Sequence, residues 1–298
     1  MARILDPQGT LMDTLVQSGR IELRRARLQF EQADGTPFTA IDGVDLTIEP
    51  GEFVSVIGPS GCGKSTVLNV LAGFSKLDEG TATLDGAAIE KPGPERGVVF
   101  QQYSLFPWMT VRRNVEFGLR MKRMPVSKRE TIARGLLGIA GLLAFENHYP
   151  DQLSGGMKQR VGIVRALAAS PRVLLMDEPF GALDAQTRAV MQEVLTNMWQ
   201  RLRTSVLFIT HDIDEAVFLS DRIYVMTARP GRIKCVVPVN LPRPRTPEIT
   251  ASPEYVALVQ RLRSLIRAES LQAMGGELAA GLAGIGMDVG PAGVEELF

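Results

Sequence analysis

Alternating segments near the start of the chain predict β-strands. In residues 21–30 and again in 41–48, apolar and polar side chains alternate, as they do in strands with one buried face. Asp34-Gly35-Thr36-Pro37 lies between them and has the composition of a turn. The next apolar segment, Phe53–Ile57, ends at a glycine and is typical of a buried parallel strand. A helix over Lys64–Ala72 is predicted directly after it.

The middle of the chain, about residues 103–170, has few strand signals and predicts a mostly helical insertion. Its helices are expected at Val111–Lys122, Lys128–Leu143 and Ser154–Ala168. Beyond it, apolar strand patterns alternate with helical ones, which favours a parallel sheet with helices on its faces. The strands are expected at Val173–Met176, Ser205–Thr210 and Ile223–Met226, and the helices at 184–202 and 212–219.

The last part of the chain differs from what precedes it. Ile233–Leu241 is expected to be extended, and the prolines between residues 242 and 247 interrupt regular structure. Tyr255, Val259, Leu262 and Ile266 then fall on one helical face, ahead of a tail rich in glycine and alanine. We therefore expect a leader over 1–20, a principal domain over 21–245 and a helical extension with this tail over 246–298.

Composition narrows the classes of function. Lysine plus arginine and aspartate plus glutamate both number 33, so a neutral chain gives no electrostatic reason to expect nucleic acid as partner. The only cysteines, Cys62 and Cys235, do not suggest a disulfide framework, which favours a reducing cytoplasmic setting. No secretory signal is evident, and no apolar run reaches the roughly 18 residues that cross a bilayer. If the protein works at a membrane, another chain must supply the span.

The strongest local pattern is a glycine-rich loop between the Phe53–Ile57 strand and the following helix. It consists of Gly58, Pro59, Ser60, Gly61, Cys62, Gly63, Lys64, Ser65 and Thr66. Glycines let backbone N–H groups converge on phosphate oxygens, and a helix N-terminus favours negative charge. Lys64 supplies a cation for the β- and γ-phosphates of a nucleotide, and Ser65 offers a hydroxyl to Mg²⁺. The pattern predicts a P-loop rather than a simple helix-capping turn.

Two further motifs carry chemistry. Asp177 and Glu178 end the apolar Val173–Met176 strand, where Asp177 can hold Mg²⁺ and Glu178 can polarise an attacking water. Ser154, Gly155 and Gly156 open a helix and form a second anion cradle that lacks a lysine. One nucleotide does not need two cradles on one chain, but two copies that face each other would use both.

Together, the P-loop, the Leu153–Arg160 segment and the Asp-Glu strand end resemble an ATP-binding subunit of an ABC transporter. The resemblance covers about residues 21–245. It implies an α/β fold with a P-loop NTPase core, in which a mixed sheet is flanked by helices, plus an antiparallel β-subdomain and the helical subdomain. It also implies ATP and Mg²⁺ as cofactors and a composite site, which Ser154, Gly155 and Gly156 of a partner subunit complete.

The resemblance assigns further residues one at a time. Gln101 resembles the glutamine that reaches Mg²⁺ and the attacking water, with Gln102 as the alternative. Asp184 ends a segment, from Gly181, that is similar to the D-loop, although glycine stands where serine is more usual. His211 resembles the switch histidine that contacts the γ-phosphate. Phe30 matches the aromatic residue that stacks on adenine, a position normally held by tyrosine.

The resemblance implies four catalytic residues, Lys64, Gln101, Glu178 and His211, and three metal ligands, Ser65, Gln101 and Asp177. Because Glu178 and His211 are both present, a non-hydrolysing binding module is disfavoured. Both half-sites are intact, so a homodimer suffices, although a related second subunit is an alternative.

The class of ABC protein follows from domain economy and from a short aromatic segment. DNA-repair and chromosome ATPases usually carry a long coiled coil or zinc modules, and ribosome-associated ABC proteins carry two ATPase units. A bacterial importer subunit is therefore favoured, peripheral at the cytoplasmic face of the inner membrane. Tyr103–Trp108 is expected to line a groove for permease subunits, with core packing as the alternative. A periplasmic solute-binding protein would be an indirect partner.

Several stretches resemble the nitrate, sulfonate and taurine branch of importers. They are Leu105–Trp108, Gly155–Arg160, Asp212–Arg222 and Arg229–Ile233. The transported compound is not encoded in an ATPase subunit, because the permease and the binding protein select the cargo.

Overall fold

The computed structural model describes residues 18–32 and 35–284 and contains two β-sheets. The smaller sheet is antiparallel in the order β2-β1-β4-β5, and the larger one has the order β10-β9-β3-β8-β7-β6. In the larger sheet every pairing is parallel except that of β10 with β9. The strands are β1 (Ile21–Glu31), β2 (Pro37–Ile48), β3 (Phe53–Ile57), β4 (Glu79–Leu84), β5 (Ala87–Ala88), β6 (Arg96–Val99), β7 (Val173–Asp177), β8 (Ser205–Ile209), β9 (Arg222–Met226) and β10 (Ile233–Pro238).

Helices cover the larger sheet and form a separate group in the middle of the chain. They are α1 (Lys64–Ala72), α2 (Val111–Met121), α3 (Val126–Ile139), α4 (Gly155–Ala168), α5 (Ala185–Leu202), α6 (Ile213–Leu219) and α7 (Pro253–Gly284). One hydrophobic core joins α1 and one face of the larger sheet to the smaller sheet. A second core joins the opposite face to the remaining helices, from α2 to α7. This arrangement confirms the predicted mixed sheet, antiparallel β-subdomain and helical subdomain.

Parallel strands bring distant motifs to one edge of the larger sheet. β3 pairs with β8 so that Val56 lies opposite Ile209, and β7 pairs with β8 so that Asp177 lies opposite the same residue. The C-terminal ends of the three strands therefore lie side by side. The P-loop, Glu178 and His211 each follow one of these ends, which is the usual place for a ligand in an open α/β sheet.

Several element boundaries differ from those predicted. Helix α3 spans Val126–Ile139 rather than Lys128–Leu143, because Gly141 adopts a left-handed φ of +68° and residues 143–145 form a separate 3₁₀ turn. Strands β4, β5 and β6 have no counterpart among the sequence predictions. The first half of β4 is exposed and polar, and β6 has four residues, so neither shows a strong pattern of apolar positions.

The two chain ends lie only partly within the described residues. Of the leader predicted over 1–20, residues 1–17 lie outside them, as do Asp34 of the predicted turn and residues 285–298 of the predicted tail. Gly19 is already part of the fold, since its N–H donates to the Arg172 carbonyl at 3.1 Å. Helix α7 continues to Gly284, further than its apolar pattern predicts.

The residue directly before the C-terminal extension is a buried arginine that contacts the end of α6. Nη1 of Arg245 donates to the carbonyl oxygens of Val217, Phe218 and Ser220 at 3.1, 3.0 and 2.6 Å. These groups end α6, where backbone carbonyls lack partners within the helix. Burial, with Arg243 nearby, lowers the pKa of Arg245 to about 10, so the side chain stays charged at neutral pH. Arg245 thus caps α6 and fixes to it the segment that leads into the extension.

We predict that Arg245→Met destabilises the protein by about 2–4 kcal/mol, because the carbonyls that end α6 lose their donor in a buried place. Urea denaturation measures the change. Arg261 is exposed on α7, so Arg261→Met should stay within about 0.5 kcal/mol of the wild type. Equal denaturation midpoints for the two variants would contradict this role.

Candidate active site

The loop between β3 and α1 forms a cradle of backbone groups. Gly63, with φ +94°, is the residue before α1, and a Cβ there would lie 2.7 Å from both the Ala40 carbonyl oxygen and Ile41 Cγ2. Gly61 also has a positive φ, of +72°. Only glycine allows this curvature and close packing. A P-loop needs both if its backbone N–H groups are to converge on a phosphate.

The Lys64 ammonium lies at the centre of this cradle. It is buried and donates to the carbonyl oxygens of Gly58 at 2.9 Å and Pro59 at 2.8 Å. Among the described residues, no carboxylate forms an ion pair with it. The ammonium also donates to Cys62 Sγ at 3.7 Å. A buried cation with no carboxylate partner is suited to an anionic ligand, as the sequence predicted for phosphate.

A hydroxyl and a carboxylate meet beside the cradle. Ser65, in the first turn of α1, donates from its Oγ to Oδ1 of Asp177, at the end of β7, at 3.2 Å. Burial raises the pKa of the Asp177 carboxyl above its ordinary value, and Glu178 raises it further, against the hydrogen bond from Ser65. Oxygen donors in a partly desolvated, acidic setting fit Mg²⁺, which takes few protein ligands beside phosphate.

Glu178 has a strained backbone. Its φ of +43° lies in the left-handed region, which costs a non-glycine residue about 1 kcal/mol or more. Its N–H donates to the Ile209 carbonyl at 2.9 Å, which attaches it to the end of β8. His211 Nδ1 lies 3.2 Å from Glu178 Oε2. The two residues predicted to act on water and γ-phosphate are therefore in direct contact.

Gln101 lies near this pair, on the other side of the turn that follows Glu178. A Cβ built on Gly181 would lie 3.4 Å from Gln101 Nε2 and 3.7 Å from Glu178 Oε2. That spacing is an ordinary contact, so the fold does not require glycine where serine is more usual.

Two aromatic side chains border the pocket in front of the P-loop. Its volume is about 360 Å³, and its lining residues are Phe30, Phe38, Ala40, Ser60, Gly61, Gly63, Lys64, Ser65, Thr66 and Glu178. Phe30 and Phe38 are paired across the β1–β2 hairpin, and Phe30 is 46% exposed. Sequence reasoning missed Phe38, although its position across the predicted turn from Phe30 could have indicated it.

The second cradle does not line this pocket. Ser154 precedes α4, where its Oγ accepts from Met157 N at 3.4 Å, and a Cβ on Gly155 would lie 2.8 Å from the Tyr103 hydroxyl. A Cβ on Gly156 would lie 2.6 Å from Thr187 Cγ2. Asp184 precedes α5 and accepts from Thr187 N at 3.0 Å. The structure thus separates these four predicted residues from the P-loop pocket of their own chain.

Comparison with known proteins identifies the family. A model of the ABC transporter family matches residues 41–181. The nitrate import ATP-binding protein NrtD of Synechocystis is 50% identical over 234 residues, which cover 76% of this chain and 88% of NrtD. The chain belongs to the ABC transporter family.

Another relative of this ABC subunit is the aliphatic sulfonates import ATP-binding protein SsuB of Bacillus cereus. It is 48% identical over 206 residues, which cover 69% of this chain and 81% of SsuB. These similarities confirm the predicted resemblance to the nitrate and sulfonate branch.

Two solved structures of an ABC cassette are similar to this chain and support the same family. The dimeric structure of the bacterial ABC transporter cassette MJ0796 has a TM-score of 0.66 and 34% identity, and covers 74% of this chain and 99% of its own. A dimeric post-hydrolysis state of that cassette, bound to ADP and Pi, has a TM-score of 0.65 and 33% identity, with the same coverage. The ABC ATPase fold of this subunit is thereby confirmed.

A buried carboxyl behind His211 was not among the predicted site residues. Glu215 Oε2 accepts from Thr210 Oγ1 at 2.6 Å, one residue before His211. Burial raises the pKa of Glu215 to about 7; Asp212 adds to the rise, while the Thr210 hydrogen bond, Arg188 and His211 oppose it. A glutamate two residues into a helix gives no sequence signal for this burial.

We predict a pH-dependent stability difference between the wild type and Glu215→Gln. Because the folded pKa of about 7 lies above that of the unfolded chain, the fold holds this proton more tightly. The resulting stabilisation is complete below the unfolded pKa and is lost as pH rises through about 7. Urea denaturation should show the Gln variant gaining on the wild type by on the order of 2–3 kcal/mol over this window. Parallel pH profiles would show that Glu215 is not responsible.

Proposed function

We propose that this chain is the ATP-hydrolysing subunit of a bacterial importer for a small anion or an organic sulfur or nitrogen compound, of the nitrate, sulfonate or taurine type. The nitrate and sulfonate import proteins among its relatives support the cargo class. The alternative, an ABC ATPase of DNA repair or translation without a permease, has no support among these relatives. The observation that carries the proposal is the contact of Glu178 with His211 beside the P-loop.

Hydrolysis of ATP requires charge neutralisation and an oriented water rather than a covalent intermediate. Lys64 is the cation for the terminal phosphates, and His211 contributes a donor on the γ-phosphate side. Glu178 accepts a hydrogen bond from the attacking water and directs it in line, and Gln101 lies close enough to help hold it. Ser65 and Asp177, with Gln101, would hold Mg²⁺, which neutralises phosphate charge when bound.

The half-sites on one chain imply a dimer. Dimers are known for similar cassettes, and in our proposal Ser154, Gly155 and Gly156 of one copy complete the P-loop site of the other. Backbone N–H groups at the start of α4 then contact the nucleotide's phosphates. ATP therefore joins two copies, and hydrolysis releases them. The partner is a second copy of the chain or a related ATPase subunit.

We predict that Glu178→Gln lowers kcat for ATP at least 100-fold while ATP binding persists, because glutamine fits the site but cannot polarise water. With ATP and Mg²⁺ the variant should accumulate as a dimer in size-exclusion chromatography. Glu254 is exposed on α7, and Glu254→Gln should hydrolyse ATP at the wild-type rate. Unchanged ATP turnover in Glu178→Gln would contradict the proposed mechanism.

A cavity beside Trp108 supports the proposed permease contact, although its lining differs from that expected. Trp108 is 68% exposed, and its ring packs on Phe106 at a centroid distance of 5.7 Å. It borders a cavity of about 430 Å³, whose lining residues are Trp108, Met109, Arg113, Glu116, Phe117, Arg120 and Arg129. Tyr103, also expected in the groove, lies against Gly155 of the second cradle instead.

A second exposed aromatic pair follows the P-loop helix. Phe74 and Phe100 are 49% and 40% exposed and stack with a centroid distance of 6.1 Å. Phe100 directly precedes Gln101, so a partner bound at this pair would also contact the backbone that carries Gln101. Exposed aromatic rings are typical of a surface that binds a partner protein.

We expect Trp108→Ala to lower transport at least fivefold in vesicles that hold the permease, because an exposed anchor ring is lost from the docking surface. Basal ATPase activity of the isolated subunit should change less than twofold. Val256 is 42% exposed on α7, and Val256→Ala should leave both activities unchanged. Equal losses of transport and ATPase activity in Trp108→Ala would count against docking here.

These assignments place the subunit, in our proposal, at the cytoplasmic face of the bacterial inner membrane. It would bind permease subunits there and depend indirectly on a periplasmic solute-binding protein. Over residues 18–32 and 35–284, no helix has the length and apolar character needed to cross a bilayer.

A further inference from the structure

Arg188, in the first turn of α5, contacts two separate loops of the active site. Its Nη2 donates to the Leu183 carbonyl at 3.1 Å, and its Nη1 donates to Asp212 Oδ2 at 3.1 Å. Its Nε faces Glu215 Oε1 at 3.5 Å. Its side chain is 28% exposed and makes two hydrogen bonds and one further ion pair. A planar guanidinium can hold such a set in fixed geometry, whereas an ammonium cannot.

The first of these loops begins at Glu178. Gly181 N–H donates to the Glu178 carbonyl at 3.1 Å, and Leu183 N–H donates to the Phe180 carbonyl at 3.1 Å. Successive turns therefore connect Glu178 to the carbonyl that Arg188 holds. A shift of Leu183 would move the turn that starts at the strained Glu178 backbone.

The second loop carries His211. Thr210 precedes it and Asp212 follows it, and Asp212 N–H donates to Thr210 Oγ1 at 3.0 Å. Asp212 Oδ1 accepts from Glu215 N at 3.1 Å, so Asp212 both caps α6 and holds Arg188. Thr210 also donates to Glu215. The backbone on both sides of His211 is thus fixed by side chains that end at Arg188 or Glu215.

We propose that Arg188 is a positioning residue for hydrolysis, which sets the Glu178–His211 contact by joining the loop after Glu178 to the loop after His211. The proposal rests on the roles given above to Glu178 and His211. Arg188 does not touch the pocket in front of the P-loop. It acts through the catalytic pair and should affect turnover rather than the binding of ATP.

Charge explains why a neutral residue could not substitute. Two carboxyl groups, Asp212 and Glu215, lie within 3.5 Å of the guanidinium, and Arg188 lowers the pKa of Glu215 against burial and against Asp212. Without the cation the pKa of Glu215 rises further, and Asp212 and Glu215 both lose the partner that joins them to α5. The switch loop would then relax away from the position in which His211 meets Glu178.

The test measures kcat and KM for ATP in purified full-length variants. Arg188→Met should lower kcat at least tenfold and change KM less than threefold, with Arg188→Lys in between, because lysine keeps the charge but not all three contacts. Arg201 lies exposed near the end of the same helix, and Arg201→Met should match the wild type. Thermal unfolding and the affinity for a fluorescent ATP analogue report whether each variant is folded and binds nucleotide.

A double-mutant cycle separates positioning from general damage. Asp212→Asn keeps an acceptor that caps α6 but removes the charge that holds Arg188. If the two residues act through one contact, the double variant should have about the kcat of Arg188→Met alone. Multiplicative losses, or equal changes in kcat and KM, would overturn the proposal.

His211→Ala distinguishes a failure of this inference from a failure of the proposed function. A low kcat in His211→Ala with a normal kcat in Arg188→Met would refute the positioning role alone. A normal kcat in His211→Ala would refute the catalytic assignment on which that role rests.

Discussion

The alignment of three parallel strand ends is the constraint on which the site depends. β3, β7 and β8 are hydrogen-bonded neighbours, and Val56, Asp177 and Ile209 lie at the same level of the sheet. The P-loop follows the first strand, Glu178 the second and His211 the third. More than 100 residues of sequence separate the P-loop from Glu178. The register of the strand pairing nevertheless places them side by side. A slip in either pairing would separate the cation, the carboxylate and the imidazole.

A strained backbone and buried charged groups define the site further, beyond the positions that the strand register sets. Glu178 is held with φ +43° by the N–H that it donates to Ile209, and the carboxyl is thereby directed towards His211. Asp177 keeps a raised pKa through burial, and Lys64 is surrounded by carbonyls rather than carboxylates. In the part of the chain that the structure describes, neither group forms an ion pair. In our proposal a nucleotide with its metal supplies both missing counter-charges.

Much of this site could be predicted from sequence because its motifs are contiguous. Each motif can be recognised within a few consecutive residues. This holds for the P-loop, the acidic strand end and the serine-glycine-glycine helix start. Phe38, Arg188 and Glu215 could not be found in this way. Their importance comes from contacts that only the folded chain makes. Phe38 pairs with Phe30 across a hairpin, Arg188 donates to Asp212 in another loop, and Glu215 accepts from Thr210 across the turn that starts α6. Strands β4 to β6 were not predicted for a related reason. Their pairing partners define them, rather than their own apolar patterns.

The separation of the two anion cradles on one chain makes the composite dimer the central claim. Its most direct test mixes two inactive variants, Lys64→Ala, which keeps an intact Ser154, and Ser154→Arg, which keeps an intact Lys64. Neither homodimer contains a complete site. The mixed dimer has one complete site, built from the intact P-loop of one copy and the intact cradle of the other. The account predicts that ATPase activity reappears on mixing and exceeds that of either variant alone. Activity that stays at the sum of the separate variants would contradict it.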